Sequence, residues 1–289
     1  MNRRVLALFF FGWLASLGTP GVLHAAGINT NVAFPVRDGG FVYRTQVRFL
    51  SASNDPTPLD RDVNVYAVPN VLAYGATART TLFGILPYIS RSVDFTAAGL
   101  RQTDDTDGFG DLTFLLRQTV YVQDALQRTS RFALLAGLEI PSGKEEFSSH
   151  STDFLLGGVY TLQDGRHEFD ADLIYKINTE GHDLERGDEL RYNVAYELRV
   201  SPWEWPERGT PSQIYLVMEL NGSTSRRAFA SGAELGDTGG TTVFLSPGIQ
   251  YVARRIIYEA SVQVPVIQNL NGAQVETDFV TAAGIRLQI

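Results

Sequence analysis

The chain has 289 residues, a near-neutral mean hydropathy of −0.06 and a formal charge of −8, with no cysteine. The missing thiols exclude disulfides, cysteine nucleophiles and cysteine-ligated metal centres, and the acidic balance argues against a nucleic-acid partner. Only His150, His167 and His182 follow the first 25 residues, too few for a histidine-rich metal site.

At the N-terminus Arg3 and Arg4 precede VLALFFFGWLASL, followed by the small residues of GVLHAAG. This run is shorter than the roughly 20 residues of a membrane helix, and its order is that of a cleaved signal peptide. Cleavage is expected after Ala25 or Ala26. Residues 1–26 then form the leader and 27–289 one barrel domain. The leader removes two arginines and no acids, so the mature charge is 22 − 32 = −10. Residues 27–38, GINTNVAFPVRD, read as an extra strand, a periplasmic lead-in or a short plug.

From residue 41 onward the periodicity is two. Twelve strands are expected near 41–50, 62–74, 78–90, 110–123, 130–140, 152–162, 167–178, 188–201, 212–221, 241–252, 255–266 and 277–289. The clearest neighbours are FDADLIYKI, with Phe169, Ala171, Leu173, Tyr175 and Ile177 on one face, and LRYNVAYELRV, with Leu190, Tyr192, Val194, Tyr196 and Leu198 on one face. Such alternation marks strands with one apolar and one polar side. Pro69, Pro87, Pro247 and Pro265 lie within or near strands and predict bulges or bends.

The strands reach the nine to eleven residues or so that a tilted membrane strand needs, whereas soluble strands average about five or six. Long connections such as RSVDFTAAGLRQTDDTDG (residues 91–108) alternate with short ones such as QDGR. Alternating loop length, an even strand count and a strand running to Ile289 together predict an all-β, transmembrane, antiparallel up-and-down barrel in a bacterial outer membrane. Phe41 and Phe49, Phe169 and Tyr175, Phe154 and Tyr160, and Trp203 and Trp205 are candidates for the two aromatic girdles.

If the apolar faces meet lipid, the opposite faces line a lumen. That assigns Arg44, Arg48, Arg117, Asp170, Asp172, Lys176, Arg191, Glu197, Arg199, Glu219 and Glu259 to the interior. Turning a basic residue toward lipid at the midplane costs about 2–4 kcal/mol. The mixed signs predict cross-strand pairs, either bracing a narrow barrel or bordering a passage. In HEFDADLIYKIN, Glu168, Asp170 and Asp172 are spread along one wall, with Arg191 and Arg199 of the next strand as expected ion-pair partners.

No motif carries chemistry strongly. GFGD (108–111) precedes strand periodicity, whereas a dinucleotide fingerprint requires a helix there. GLEIPSGKE (137–145) has the wrong spacing for a phosphate loop and Glu145 where Ser or Thr is needed. His182-Asp183, and His150 among Ser148, Ser149 and Ser151, read as polar loops; an outer-membrane hydrolase with a loop-borne site is the alternative they leave. DDTDG (104–108) reads as a solvated acidic loop. No catalytic residue, cofactor or metal ligand is assigned.

DGFGDLTFLLRQTVY, LLAGLEIPSGKEEF, TDFLLGGVYTL, FLSPGIQYV and YEASVQVPVIQNLNG, in that order, resemble the outer-membrane transporter family of the meta-pathway of phenol degradation. More distantly the chain resembles the long-chain fatty-acid outer-membrane transporters, without their large plug. The resemblance implies a channel for passive uptake of small hydrophobic or aromatic molecules. Its partners would be outer-membrane lipid, the solute and, during biogenesis, the barrel-assembly machinery.

Overall fold

The computed structural model describes residues 26–289 except 205, 207, 208 and 210. All but the last residue of the expected leader 1–26, and Trp205, lie outside the described residues. The chain folds into one closed antiparallel sheet. Its strands are β1 (Phe41–Ser53), β2 (Asp62–Thr77), β3 (Thr80–Ala97), β4 (Leu100–Phe109), β5 (Leu112–Ala125), β6 (Arg128–Ile140), β7 (Asp153–Asp164), β8 (His167–Ile177), β9 (Glu189–Ser201), β10 (Gln213–Ser225), β11 (Gly240–Ala253), β12 (Ile256–Leu270) and β13 (Glu276–Gln288).

β4 and β5 both pair with β3, end to end, and form one wall position interrupted at Gly110–Asp111. The barrel therefore has twelve positions. Each strand pairs with its neighbours in sequence, and β1 closes on β13 from Val42↔Gln288 to Ser53↔Glu276. Full closure leaves no sheet edge within the hydrocarbon layer, where an unpaired peptide group is costly.

One expected loop is instead a hairpin. Residues 91–108 extend β3 and build β4, which pairs from Ala97↔Leu100 to Tyr88↔Phe109. Polar alternation there (Arg101, Thr103, Asp105) meets water on both faces, so no apolar stripe betrays the strands. Asp104, Asp105 and Asp107 accordingly lie in β4. Pro69 stands opposite Pro87, and Pro265 adjoins a register shift at Val243/Phe244.

Outward positions are apolar and exposed: Leu72, Leu134, Leu156, Leu173, Val194, Met218, Ile249 and Val262 all point away from the barrel. Aromatic pairs bracket this band. Phe41–Tyr74 (4.7 Å between centroids) and Tyr251–Tyr258 (6.2 Å) lie at the short-turn end, and Phe49–Tyr66 (4.8 Å) at the long-loop end. One apolar band flanked by aromatics at both ends is how a barrel sits in a bilayer. Leu173→Arg, in the middle of β8, is expected to lower unfolding free energy by about 2–4 kcal/mol, read as an earlier urea midpoint in the unboiled gel band. An unchanged midpoint would put β8 away from lipid.

Above the barrel, short bridges at Glu180–Gly181, Leu184–Glu185, Phe229–Ala230 and Ala233–Glu234 join two long loops into a small sheet.

Candidate functional site

Residues 26–38 cross the barrel interior. They form no strand in the sheet, so their peptide groups have no ladder partners. A buried peptide group must still be paired, and here the wall side chains do it. Glu219 on β10 accepts from the backbone N–H groups of Asn29 and Thr30, both at 3.0 Å, and from the Asn29 amide at 2.6 Å. Asp172 accepts from Asn31 N–H at 2.6 Å, Thr161 from Ala33 N–H at 2.9 Å and Thr81 from Val36 N–H at 3.0 Å.

Basic side chains serve the carbonyls. Arg117 donates to Val32 O at 2.7 Å and to Phe34 O; Arg44 donates to Ile28 O; Arg286 donates to Gly27 O at 2.6 Å. Thr119 donates to Ala33 O at 3.1 Å. Two apolar contacts complete the docking. Ile28 packs with Tyr215, Val217, Val252 and Ile257, and Ala33 with Ala133, Leu135, Leu155, Val159 and Ile174. Among the described residues this segment runs through the lumen and joins no strand of the barrel; it is called the plug below.

The other interior charges sort into pairs. Glu259 takes Arg44 and Arg286, each at 2.7 Å, and Gln46 at 2.6 Å. Lys176 bridges Glu139 (2.6 Å) and Asp153 (3.3 Å). Arg48 donates to Asn29 and Gln263.

Across β8 and β9 the register sets residues other than Arg191 and Arg199 directly opposite the three acids. Glu197 falls directly opposite Glu168, Ala195 opposite Asp170 and Asn193 opposite Asp172. Arg191, nearer the mouth, pairs with Glu189 of its own strand at 2.7 Å, and Asp172 is held by Asn193 at 2.9 Å. Glu168, Asp170 and Glu197 are left together, buried, with one oxygen of each within 4.8 Å of the others. Sequence reading also missed Thr81, Thr119, Thr161, Gln250 and Arg286. Each is a buried polar residue in a strand whose neighbours alternate, and that parity was the available signal.

Between the plug and the β1–β5 wall lies a cavity of about 480 Å³. Val32, Phe34, Val36, Val42, Val71, Phe83, Ile85 and Leu115 line it, together with Arg44, Arg117 and Arg286. Arg117 sits 4.9 Å from the Phe83 ring.

Asp111, at the β4–β5 break, organises the outer loop 141–152. It accepts from the N–H groups of Ser142, Gly143 and Ser149 at 3.0, 2.9 and 2.6 Å, and from the Ser149 hydroxyl. Gly143 permits the approach, since a Cβ there would lie 2.8 Å from the Gly110 backbone. Burial pushes the Asp111 carboxyl up, but the N–H groups of Ser149 and Gly143 and the hydroxyls of Ser148 and Ser149 outweigh it and hold it below the usual carboxylate range. A depressed acid contributes stability that is present above its unfolded pKa and lost as pH falls through its folded value. Protease sensitivity of loop 141–152 is therefore expected to rise below about pH 4. Asp111→Ala should show the same sensitivity at neutral pH.

In the same loop region His150 and His182 stack at 4.2 Å, with Glu145 nearby. The His150 ring faces the Glu145 carbonyl at 3.2 Å. Among the described residues neither ring is hydrogen-bonded to a serine hydroxyl.

A closed twelve-stranded barrel with a lipid-facing band, paired aromatics and long loops at one end is a bacterial outer-membrane β-barrel protein. Within that class, the chain belongs to the family described as "Putative MetA-pathway of phenol degradation", whose model matches residues 56–252. Its fold is similar to the COG4313 outer membrane channel from Pseudomonas putida F1 (TM-score 0.67, 12% identity, 92% of this chain and 100% of that one). More remote likenesses are the β domain of the Bordetella autotransporter BrkA (TM-score 0.44, 12% identity, 87% and 100%) and a Pseudomonas aeruginosa FadL homologue (TM-score 0.36, 11% identity, 88% and 75%). No curated protein matches by sequence.

Proposed function

We propose that the barrel passes small, largely apolar or aromatic molecules through the outer membrane by passive uptake, with residues 26–38 as the constriction. The carrying observation is the character of the cavity. Elsewhere the lumen is charged and occupied by the plug, whereas this space of about 480 Å³ gathers valine, leucine, isoleucine and phenylalanine side chains beside Arg37, Arg44, Arg117 and Arg286. An apolar solute gains there by leaving water, at roughly 25 cal/mol per Å² of buried surface. Arg44, Arg117 and Arg286 in its lining suit a phenolic hydroxyl or a carboxylate as polar terminus.

The family description names phenol degradation, and the P. putida relative is titled a channel. Both agree with this reading. Transport down a gradient needs no nucleotide, consistent with the absence of a nucleotide motif in the sequence. The interior charges Arg48, Asp170, Asp172, Lys176, Arg191, Glu197, Arg199, Glu219 and Glu259 then act by holding the plug and the wall, and Arg44 and Arg117 by also bordering the cavity.

The test is uptake into proteoliposomes. Phenol and a medium-chain fatty acid are expected to accumulate faster than in empty liposomes, and a disaccharide not to do so. Equal rates with and without protein, together with no conductance in planar bilayers, would overturn the reading.

A further inference from the structure

Two outer loops bring three metal-ligating side chains to one place. Glu145 opens the single 3-10 turn of loop 141–152, Glu145–Phe147, and His150 lies near the end of that loop. His182 comes from the loop between β8 and β9. One ligand atom of each lies within 4.8 Å of the others. The His150 and His182 rings stack at 4.2 Å, and His150 Nε2 stands 3.9 Å from a Glu145 carboxylate oxygen. Lys144 is engaged elsewhere, by Glu146 at 3.5 Å and the Asp107 carbonyl at 3.0 Å. Among the described residues the His182 ring has no hydrogen-bond partner, which leaves its nitrogens available.

The backbone that presents these rings is strained. His150 has φ 56°, His182 φ 50° and Asp183 φ 62°, all in the left-handed region. His182-Asp183 is the two-residue turn between the bridges Glu180–Gly181 and Leu184–Glu185. Such a turn needs positive φ at both positions, and Asn-Gly adopts it more easily. Backbone strain of this kind concentrates at ligand sites. The two loops are also fastened without help from the histidines. Arg186 donates to Ser148 O and the Thr179 hydroxyl to Thr152 O, both at 3.0 Å. Gly181 lets the chains touch, since a Cβ there would lie 2.5 Å from the His150 carbonyl oxygen.

We propose that Glu145, His150 and His182 bind one divalent transition-metal ion of the zinc class, and that this ion staples loop 141–152 to loop 178–188 at the outer mouth. Two imidazoles and a carboxylate suit zinc, nickel or copper, whereas calcium and magnesium take oxygen ligands. Around zinc, at about 2.0–2.2 Å per ligand, neighbouring ligand atoms sit roughly 3.3 Å apart. Closing from the observed spacing takes side-chain movements of about 1–1.5 Å at the loop surface, and water completes the fourth position. The site is independent of what the barrel transports.

The test uses the untagged mature barrel, folded in detergent and freed of metal with EDTA. Zinc chloride is expected to bind one-to-one by isothermal titration calorimetry. His150→Asn and His182→Asn keep a residue that tolerates left-handed backbone, and each is expected to weaken binding at least about tenfold. His167→Asn, at the short-turn end, is expected to leave it unchanged. The mobility of the unboiled band checks that each variant is folded. Zinc is also expected to slow protease nicking of loop 141–152 several-fold in the intact chain and not in His182→Asn. That residue lies on the other loop, so only a bridging ion links the two effects.

Absence of one-to-one binding overturns the proposal, as does an affinity unchanged in both His150→Asn and His182→Asn. Calcium chloride competing as well as zinc would also overturn it, because carboxylates alone would then hold the ion. Protection of loop 141–152 that survives His182→Asn would put the ion on one loop and overturn the staple.

Discussion

Removing residues 28–38 is expected to raise single-channel conductance several-fold, because the plug occupies the lumen of a barrel wide enough to conduct once emptied. The argument rests on what happens to the wall. Glu219, Asp172, Arg117 and Arg44 lose backbone partners on the plug, which in a dry interior would leave buried charges unpaired. In the deletion the vacated space fills with water, which bonds to those groups instead. The β1–β13 closure and the lipid-facing band do not involve residues 28–38, so the barrel should still migrate faster unboiled than boiled. Conductance equal to that of the intact chain would show that the plug does not limit passage.

Glu219→Ala is expected to detach the plug while leaving it covalently in place. One carboxylate receives two backbone N–H groups and a side-chain amide. Leaving a buried donor unsatisfied costs about 1–3 kcal/mol. Two backbone donors therefore bring the penalty to roughly 2–6 kcal/mol, a sizeable part of a typical stability of about 5–15 kcal/mol. The segment should answer by leaving its track, since water can then reach its peptide groups. The expected record is a lower unfolding temperature with flickering openings between the intact and deleted conductance levels. Glu219→Gln keeps one carbonyl acceptor and should fall between the two. A quiet trace at the intact level for Glu219→Ala would mean that Arg117, Asp172 and the Ile28 contacts hold the plug without it.

The protruding hairpin and the acid trio show why part of the structure was hidden. Residues 91–108 carry strand geometry without amphipathic contrast, because both faces of a protruding hairpin meet water. Alternation reports an environment, and only where the two faces differ. Glu168 and Glu197 were both legible as inward residues. Their juxtaposition was not, because a shift of the β8–β9 register by two residues would keep both inward and separate them.

The barrel itself was determined along the chain. Period-two faces such as Phe169-to-Ile177, long strands and alternating loop lengths are local properties, and lipid on one side of the wall makes each face choose its direction. The inward assignment of Asp170, Asp172, Glu219 and Glu259 follows from the same parity. The occupant of the lumen was decided only by tertiary structure. Residues 27–38 have little periodicity of their own, and their path is set by Glu219, Asp172, Arg117, Thr161 and Thr81, which come from separate strands around the wall. An extended segment without a ladder must find its hydrogen bonds wherever the closed sheet brings polar side chains together, and that convergence exists only after closure.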